Sequence, residues 1–259
     1  MIGIFDSGVG GMTVARSIEL ALPNYPVVYL GDIARTPYGS KSAAIITNYA
    51  IENSGFLVDK GAKVIVIACS SASSVATEQL RREFDVPIIE VITPAVREAA
   101  KVTRGRVGVI GTSATIRSES YPRLLTKQDP ALKVYSKACP LLCPLVEEGW
   151  TGRRETKMIL RRYLHDLKKH QIDTLILGCT HYPLLKHLIQ PRIGKKVHLI
   201  DPAQATAENL KTFLVQNPVV KEEPSHTPED NLYYVTDTSQ SATEIATRIF
   251  QREMKLLPA

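Results

Sequence analysis

Two stretches decide the fold: VIVIACSSASS at residues 64–74 and LILGCTHYPLL at residues 175–185. Each begins with an uninterrupted apolar run, which is typical of a strand that is buried on both faces of a sheet. Each run ends in a cysteine, Cys69 or Cys179, and a hydroxyl residue follows at once. This shared pattern predicts two related strands that end in similar chemistry.

The rest of the chain continues as strands that alternate with helices. The predicted strands begin at Ile2, Val27, Lys63, Pro87, Arg106, Lys133, Asp173, Lys196 and Leu232. The predicted helices cover residues 12–22, 42–60, 74–84, 153–170 and 238–255. Apolar strands joined by helices indicate mostly parallel sheets covered on both faces. We therefore predict an α/β fold built from doubly wound sheets.

Three landmarks recur in the same order, which indicates an internal repeat. They are Gly3 with Gly108, Cys69 with Cys179, and Pro94 with Pro202, at offsets of 105, 110 and 108 residues. Chance similarity between apolar strands explains one pair more readily than a shared order and spacing. We predict two pseudosymmetric α/β domains, residues 1–93 with 206–259 and residues 94–205. Their strand ends would face one cleft, where such folds bind ligands.

Composition and charge narrow the class of protein. The 259 residues are 44% apolar and 22% charged, which is ordinary for a globular protein. No apolar run reaches the roughly 18 residues that span a bilayer, and residues 1–5 show no basic signal region. We therefore expect no membrane association and a cytoplasmic location. With four cysteines, a disulfide framework is not expected, so the thiols are free for chemistry.

A net charge of +6 raises the question of nucleic-acid binding. The densest basic stretch, residues 152–171, places Met158, Ile159, Tyr163 and Leu167 at helical spacing. We interpret its basic side chains as the solvent face of an amphipathic helix. No zinc-finger or helix-turn-helix spacing and no interleaved aromatic residues occur, so we do not expect nucleic acid as a partner.

Two thiols on opposite walls of a cleft suit a racemase. Such an enzyme removes a proton from one face of a carbon and returns a proton to the other face. A free thiol has a pKa near ~8.5, so both of its protonation states are accessible. A helix that begins just after Cys69 and Cys179 would lower that pKa further. We predict that these two cysteines form an acid–base pair that needs no cofactor.

Other interpretations of the cysteines remain open at this point. A single buried cysteine at a strand end is more often a small apolar core residue than a catalyst. Cys139 and Cys143 have C-x3-C spacing, and His181 lies near Cys179, which raises the possibility of zinc. Structural zinc sites usually pair close ligands from two knuckles, and the sequence has one such pair, so we expect no metal. The segment FDSGVGG lacks the first glycine of a dinucleotide fingerprint.

Five motifs together resemble those of the cofactor-independent aspartate/glutamate racemase superfamily, and of its glutamate racemases in particular. They are IGIFDSGVGGMTV (2–14), YLGDIARTPYGSKS (29–42), VIACSSAS (66–73), CPLLCPLVEEG (139–149) and LILGCTHYPLL (175–185). The resemblance covers residues 2–237 and implies two pseudosymmetric α/β domains with the site between them. It also implies interconversion of L- and D-glutamate without a cofactor, supply of D-glutamate for peptidoglycan synthesis, and a homodimer.

The resemblance implies roles for individual residues. Cys69 would act on D-glutamate and Cys179 on L-glutamate. Glu147 and His181 would assist Cys179, and Asp6 would assist the Cys69 thiol or the substrate ammonium. The implied substrate-binding residues are Asp6, Ser7, Tyr38, Gly39, Ser70, Ser71, Thr180 and His181, with Tyr38 and Gly39 acting through their backbone. Taken singly, Asp6 could instead cap a turn, Glu147 could form an exposed pair with Glu148, and His181 could be structural.

One departure from the family pattern leaves the substrate open. The family usually has Cys-Asn-Thr at the first cysteine, whereas this chain has Cys69, Ser70 and Ser71. Ser70 lacks an amide that both donates and accepts, and a lost hydrogen bond to a charged group costs about 1.5–3 kcal/mol. One alternative is therefore a racemase of aspartate or another acidic amino acid. An alternative of another class is a non-catalytic binding or regulatory protein on the same fold.

Overall fold

Two parallel β-sheets with helices on their faces form the protein, in a computed structural model that describes residues 1–259. The strands are β1 (Ile2–Asp6), β2 (Val27–Gly31), β3 (Val64–Ile67), β4 (Ile88–Glu90), β5 (Arg106–Gly111), β6 (Lys133–Ala138), β7 (Thr174–Gly178), β8 (His198–Ile200), β9 (Leu232–Val235) and β10 (Leu257–Pro258). All their pairings are parallel. The predicted α/β class with mostly parallel sheets is confirmed.

The strand order reveals the internal repeat directly. The first sheet has the order β10-β9-β2-β1-β3-β4, and the second has β6-β5-β7-β8. The second order repeats the β2-β1-β3-β4 part of the first, so β5 to β8 correspond to β1 to β4. Gly3 and Gly108 lie in β1 and β5, while Cys69 and Cys179 follow β3 and β7. The sequence landmarks therefore fall on corresponding elements.

Helices cover the faces of both sheets. They are α1 (Met12–Ala21), α2 (Ala43–Asp59), α3 (Ser70–Glu83), α4 (Ile92–Val102), α5 (Ser113–Arg117), α6 (Ser120–Gln128), α7 (Leu142–Glu147), α8 (Arg154–Lys169), α9 (Lys186–Ile193), α10 (Pro202–Gln216) and α11 (Gln240–Phe250). Short 3-10 helices cover Ile33–Arg35, Tyr38–Ser40, Tyr182–Leu185 and Pro228–Asp230. None of the helices combines the length and apolar character that a bilayer crossing needs.

One apolar core joins the two sheets. Ile4 and Val66 from the first sheet and Val109 and Ile176 from the second are fully buried in the same cluster. Helix α10 packs on α1 and α4 within this region. Burial of this kind stabilises a fold by about 25 cal/mol per Å² of apolar surface, so the shared core holds the sheets together. The domain limits, 1–93 with 206–259 and 94–205, stay a prediction.

Helix limits differ from the predicted ones where capping decides them. Helix α3 begins at Ser70 rather than residue 74, because Cys69 already occupies its N-cap. Helix α11 ends at Phe250 rather than residue 255, because Gln251 adopts the left-handed conformation with φ 57°. Such a residue at a C-cap ends a helix. Strand β10 was not predicted, since two residues carry no periodicity.

The basic helix α8 is amphipathic as predicted, with its arginine and lysine side chains exposed, but its packed face is slightly displaced. Its buried residues are Thr156, Leu160, Leu164 and Leu167, whereas Met158 is 61% exposed. Leu167 is buried as predicted, and Ile159 and Tyr163 are partly buried against the core, so the packed face is displaced from the predicted one by about one residue. Lys168 and Lys169 lie in its last turn, where cations are favourable.

Candidate active site

One pocket lies where β1, β3, β5 and β7 end. It brings together ten of the eleven residues that the sequence predicted: Ser7, Tyr38, Gly39, Cys69, Ser70, Ser71, Glu147, Cys179, Thr180 and His181. The eleventh, Asp6, is fully buried outside the lining. The carboxyl ends of parallel strands meet at one edge of a sheet, and here the edges of both sheets contribute.

Cys69 lies after β3 and forms the N-cap of α3. Its thiol is buried and donates a hydrogen bond to the Ser7 hydroxyl at 3.6 Å. Burial raises the pKa of the Cys69 thiol to about 12, and the nearby Asp6 adds to this rise. The backbone N–H of Ala72, in the first turn of α3, lowers this pKa as expected of a helix N-terminus, but the net shift is upward. Desolvation outweighs the helix terminus.

Cys179 follows β7 directly and is also buried. No α-helix begins directly after it. A turn leads into the 3-10 helix Tyr182–Leu185, and α9 begins only at Lys186, so Cys179 does not lie at the N-terminus of an α-helix. Burial raises the pKa of the Cys179 thiol well above its usual range, and the adjacent Cys143 raises it further. His181 opposes this rise, with its Nδ1 atom 3.8 Å from the Cys179 sulfur.

His181 connects Cys179 to a carboxylate. Its Nε2 atom lies 3.1 Å from Oε1 of Glu147, the last residue of α7. Burial lowers the pKa of His181, but Cys179 and Glu147 outweigh burial and hold it well above its usual range. Glu147 is therefore not one of an exposed pair, whereas Glu148 is exposed. A Cβ at Gly10 would lie 2.5 Å from His181 Nδ1, so this close approach requires glycine.

Asp6 organises the turn after β1. Its Oδ2 atom accepts hydrogen bonds from the backbone N–H groups of Gly8 at 3.1 Å and Gly11 at 2.9 Å. Its Oδ1 atom accepts a bond from the Thr180 hydroxyl at 3.4 Å. Burial raises the pKa of Asp6, while His181 opposes the rise. The turn-capping interpretation of Asp6 thus has direct support, and its contact with a substrate stays a prediction.

The loop after β2 closes the pocket from one side. The Tyr38 hydroxyl donates to Asp32 and accepts from the Asn53 side-chain amide at 3.1 Å, so the phenol is engaged in the core. The contribution of Tyr38 and Gly39 through backbone groups stays a prediction that this geometry allows. A Cβ at Gly39 would lie 2.6 Å from Cβ of Thr112, so this loop touches the end of β5.

Four lining residues were not among the predicted ones: Thr36, Pro37, Thr112 and Cys143. The repeat carried a signal for Thr112, because the 105-residue offset of Gly3 and Gly108 also relates Ser7 to Thr112. The hydroxyls of Ser71 and Thr112 lie 2.8 Å apart. The sulfur of Cys143 lies 3.3 Å from that of Cys179.

The C-x3-C spacing indicated Cys143 only as a possible zinc ligand together with Cys139. The two thiols have different surroundings, because Cys139 donates to the Lys137 carbonyl oxygen at 3.6 Å. Cys139 does not line the pocket, although it is buried. The two cysteines therefore do not act as one close pair toward the site.

The arrangement is suited to moving protons at two points of one pocket. Two buried thiols come from corresponding ends of two related sheets. The Cys179 thiol faces an imidazole backed by a carboxylate, whereas the Cys69 thiol has a hydroxyl and Asp6 nearby. A thiol is a competent acid and its thiolate a competent base, so the pocket holds two acid–base groups with different supports.

Comparison with known proteins agrees with this geometry. Residues 12–210 match the profile of the family described as Asp/Glu/Hydantoin racemase. The glutamate racemase of Aquifex aeolicus is 48% identical over 98% of this chain and 95% of its own length. The glutamate racemase of Geobacter metallireducens is 44% identical over 95% of this chain and 91% of its own length.

Solved structures lead to the same group of proteins. The glutamate racemase isoform RacE1 of Bacillus anthracis superposes with a TM-score of 0.93 at 36% identity, covering 100% of this chain and 97% of that one. The glutamate racemase of Francisella tularensis in complex with D-glutamate has a TM-score of 0.92 at 36% identity, over 100% and 96% of the two chains. The chain therefore belongs to the Asp/Glu/Hydantoin racemase family, in its glutamate racemase group.

Proposed function

We propose that this protein interconverts L- and D-glutamate by proton transfer between two thiols, without a cofactor. The observation that carries the proposal is the placement of Cys69 and Cys179 at corresponding strand ends in one pocket. One thiolate removes the α-proton, and the other thiol donates a proton to the opposite face of the carbon. Each turnover leaves the two cysteines with exchanged protonation states.

The substrate itself supplies a positive charge beside the thiols. Burial keeps both thiols protonated in the free protein, as their raised pKa values indicate. A bound ammonium group beside a thiol favours the thiolate, because an opposite charge nearby stabilises the charged form. On the Cys179 side, the imidazole of His181 can exchange a proton with the sulfur while Glu147 holds the ring.

Carboxylate binding is assigned to the first turn of α3 and to Thr180. Ser70 and Ser71 begin this 14-residue helix, and the N–H groups of a first turn lack intrahelical partners. Their N–H groups and hydroxyls suit a carboxylate, which a helix N-terminus also favours. The same contacts would stabilise charge that develops on the substrate in the transition state.

Similarity to known glutamate racemases is the reason that we propose glutamate, rather than aspartate, as the substrate. Curated relatives at 41–50% identity are described as glutamate racemases. A Francisella tularensis relative at 36% identity was solved with D-glutamate. Aspartate racemases share the fold at a TM-score of 0.56 and 18% identity, for example that of Picrophilus torridus. We assign to the product D-glutamate the role of a peptidoglycan precursor.

Circular dichroism on L-glutamate tests the proposal. The purified protein without added cofactor should remove the optical signal while the total glutamate concentration stays constant. In D₂O, the product should gain one deuterium at the α-carbon, because the second thiol carries a solvent deuteron. Aspartate is measured in parallel. A stable signal with glutamate refutes the assignment, and faster loss with aspartate would transfer it to the alternative substrate.

We also propose a homodimer, as the family resemblance implies. Sedimentation velocity at several protein concentrations measures the mass directly. A species of one chain, 28.6 kDa, across the range would contradict a dimer.

A further inference from the structure

Cys143 is a third sulfur in the pocket that the racemisation mechanism does not use. It lies in α7, buried, with its sulfur 3.3 Å from that of Cys179. The Cys179 sulfur is in turn 3.8 Å from Nδ1 of His181. These three donor atoms all lie within 4.8 Å of one another. A cluster of two thiols and one imidazole therefore exists around the sulfur of Cys179, one of the two proposed acid–base groups.

The spacing of the donors fits one four-coordinate ion. Zinc bonds of about 2.3 Å to sulfur and 2.0–2.1 Å to nitrogen give tetrahedral edges of about 3.8 Å and about 3.6 Å. The observed separations of 3.3 Å and 3.8 Å differ from these edges by about half an ångström or less. The third separation, between the Cys143 sulfur and the His181 imidazole, is at most 4.8 Å. Two sulfur ligands and one imidazole are also the donor types that zinc and similar soft divalent ions prefer.

A second, independent feature supports a metal ligand role for His181. Its Nε2 atom is 3.1 Å from Oε1 of Glu147, which leaves Nδ1 directed at the sulfur pair. A carboxylate on the far nitrogen is the usual partner of a metal-binding histidine, because it fixes the ring orientation and makes the ligand more basic. The chain thus holds three ligands and one outer-sphere partner in the arrangement that zinc sites use.

We propose that Cys143, Cys179 and His181 form a zinc-binding site that blocks racemisation when it is occupied. Binding releases the two thiol protons and any proton on Nδ1 of His181 to solvent, and it holds the sulfur of Cys179 as a ligand, so this sulfur can no longer exchange a proton with a substrate. The same three residues line the pocket, so an ion bound to them would lie where the substrate is proposed to bind. Zinc and glutamate should therefore compete. The inhibition rests on the proposed function, whereas metal binding does not.

Cobalt spectroscopy tests binding without any need for activity. Titration of the metal-free protein with Co²⁺, in the presence of a phosphine reductant, should produce thiolate-to-cobalt charge-transfer absorption in the near ultraviolet. Cys143→Ala and the near-isosteric Cys143→Ser should lose most of this absorption, and either one suffices if the other does not fold. Cys139→Ala is the matched control, because Cys139 is a buried cysteine four residues away and outside the cluster.

Inhibition provides the second measurement. Zinc should slow racemisation, a chelator should restore the rate, and each variant is compared with its own metal-free rate. The zinc concentration for half inhibition should rise at least about tenfold in the Cys143 variants, since even outer-sphere changes cost 10–100-fold in affinity. It should stay near the wild-type value in Cys139→Ala.

The outcomes separate the two proposals. Equal zinc sensitivity of Cys143→Ala and the wild type overturns the site, as does the absence of thiolate–cobalt absorption. Cobalt bound through Cys143 in a protein that does not racemise glutamate would leave the site standing and refute the proposed function. Inhibition that only a reductant reverses would assign the effect to thiol oxidation and overturn the metal proposal.

Discussion

Replacement of Glu147 by glutamine should slow racemisation without disturbing the fold. The Glu147 carboxylate lies 3.1 Å from Nε2 of His181, and its side chain is 26% exposed. Glutamine keeps the shape and can still accept a hydrogen bond, but it removes the negative charge that stabilises the imidazolium. The Cys179 side of the pocket would then lose the support for its proton transfers, while the Cys69 side keeps its surroundings.

The size of the effect follows from the contact. A hydrogen bond to a charged group contributes about 1.5–3 kcal/mol, and each 1.36 kcal/mol is a factor of ten in rate. The partial exposure of Glu147 argues for the lower half of this range, because solvent screens the pair. We therefore expect kcat/KM to fall about 10- to 50-fold. The equilibrium constant of a racemisation is one, so kcat/KM must fall equally for L- and D-glutamate.

Isotope effects distinguish a role in proton transfer from a structural role. With α-deuterated substrate, the primary isotope effect should increase most for the enantiomer whose proton Cys179 removes, because that step becomes slower. The neighbouring Glu148→Gln is the matched control, since Glu148 is exposed and lies next in the chain. Normal kcat/KM in Glu147→Gln would refute the reasoning, as would an equal loss in Glu148→Gln.

Further predictions concern the thiols and their surroundings. Cys69→Ser and Cys179→Ser should each lower the racemisation rate by at least about 10²-fold, because serine is too weak an acid, yet calorimetry should still detect glutamate binding. Gly10→Ala should reduce kcat/KM, since the new Cβ would lie 2.5 Å from His181 Nδ1; a normal value would mean that the ring adapts. Ser70→Asn should lower KM for glutamate by up to about tenfold, or 1.4 kcal/mol, and a clash would raise it instead. Because burial holds the free thiols protonated and the thiolate is the base, kcat/KM should rise by about tenfold per pH unit from ~6.5 to ~8.5; a flat profile would contradict this.

The fold could be predicted from the sequence because its strands are buried on both faces. Continuous apolar runs such as VIVI in β3 and TLILG in β7 identify parallel strands without an alignment. The repeat of glycine, cysteine and proline landmarks identified the two related sheets. The ends of helices were harder to predict. The start of α3 after Cys69 and the end of α11 before Gln251 depend on local backbone angles rather than on periodicity.

The sequence allowed us to predict those residues of the candidate site that lie at the ends of strands. The offset of the internal repeat could have identified Thr112 as a site residue, but it could not have identified Cys143. It belongs to the short helix α7, and only the packing of that helix beside the end of β7 brings its sulfur to Cys179. Tertiary contacts between elements that are 36 residues apart leave no local pattern in one sequence.

The pKa of a thiol in this pocket depends more on burial, which the sequence does not give, than on the nearby helix terminus, which the sequence predicts. A helix N-terminus stabilises a nearby anion by about 0.3–1 kcal/mol, which is less than one pKa unit. Burial moves the pKa of Cys69 in the opposite direction, to about 12 from an ordinary value near ~8.5, so the larger effect decides. In the proposed mechanism, the Cys69 thiol, which has the Ser7 hydroxyl rather than an imidazole as its partner, stays protonated until a cation enters. An amino acid substrate carries that cation on the same carbon atom that loses the proton, so binding and activation of the base are one event.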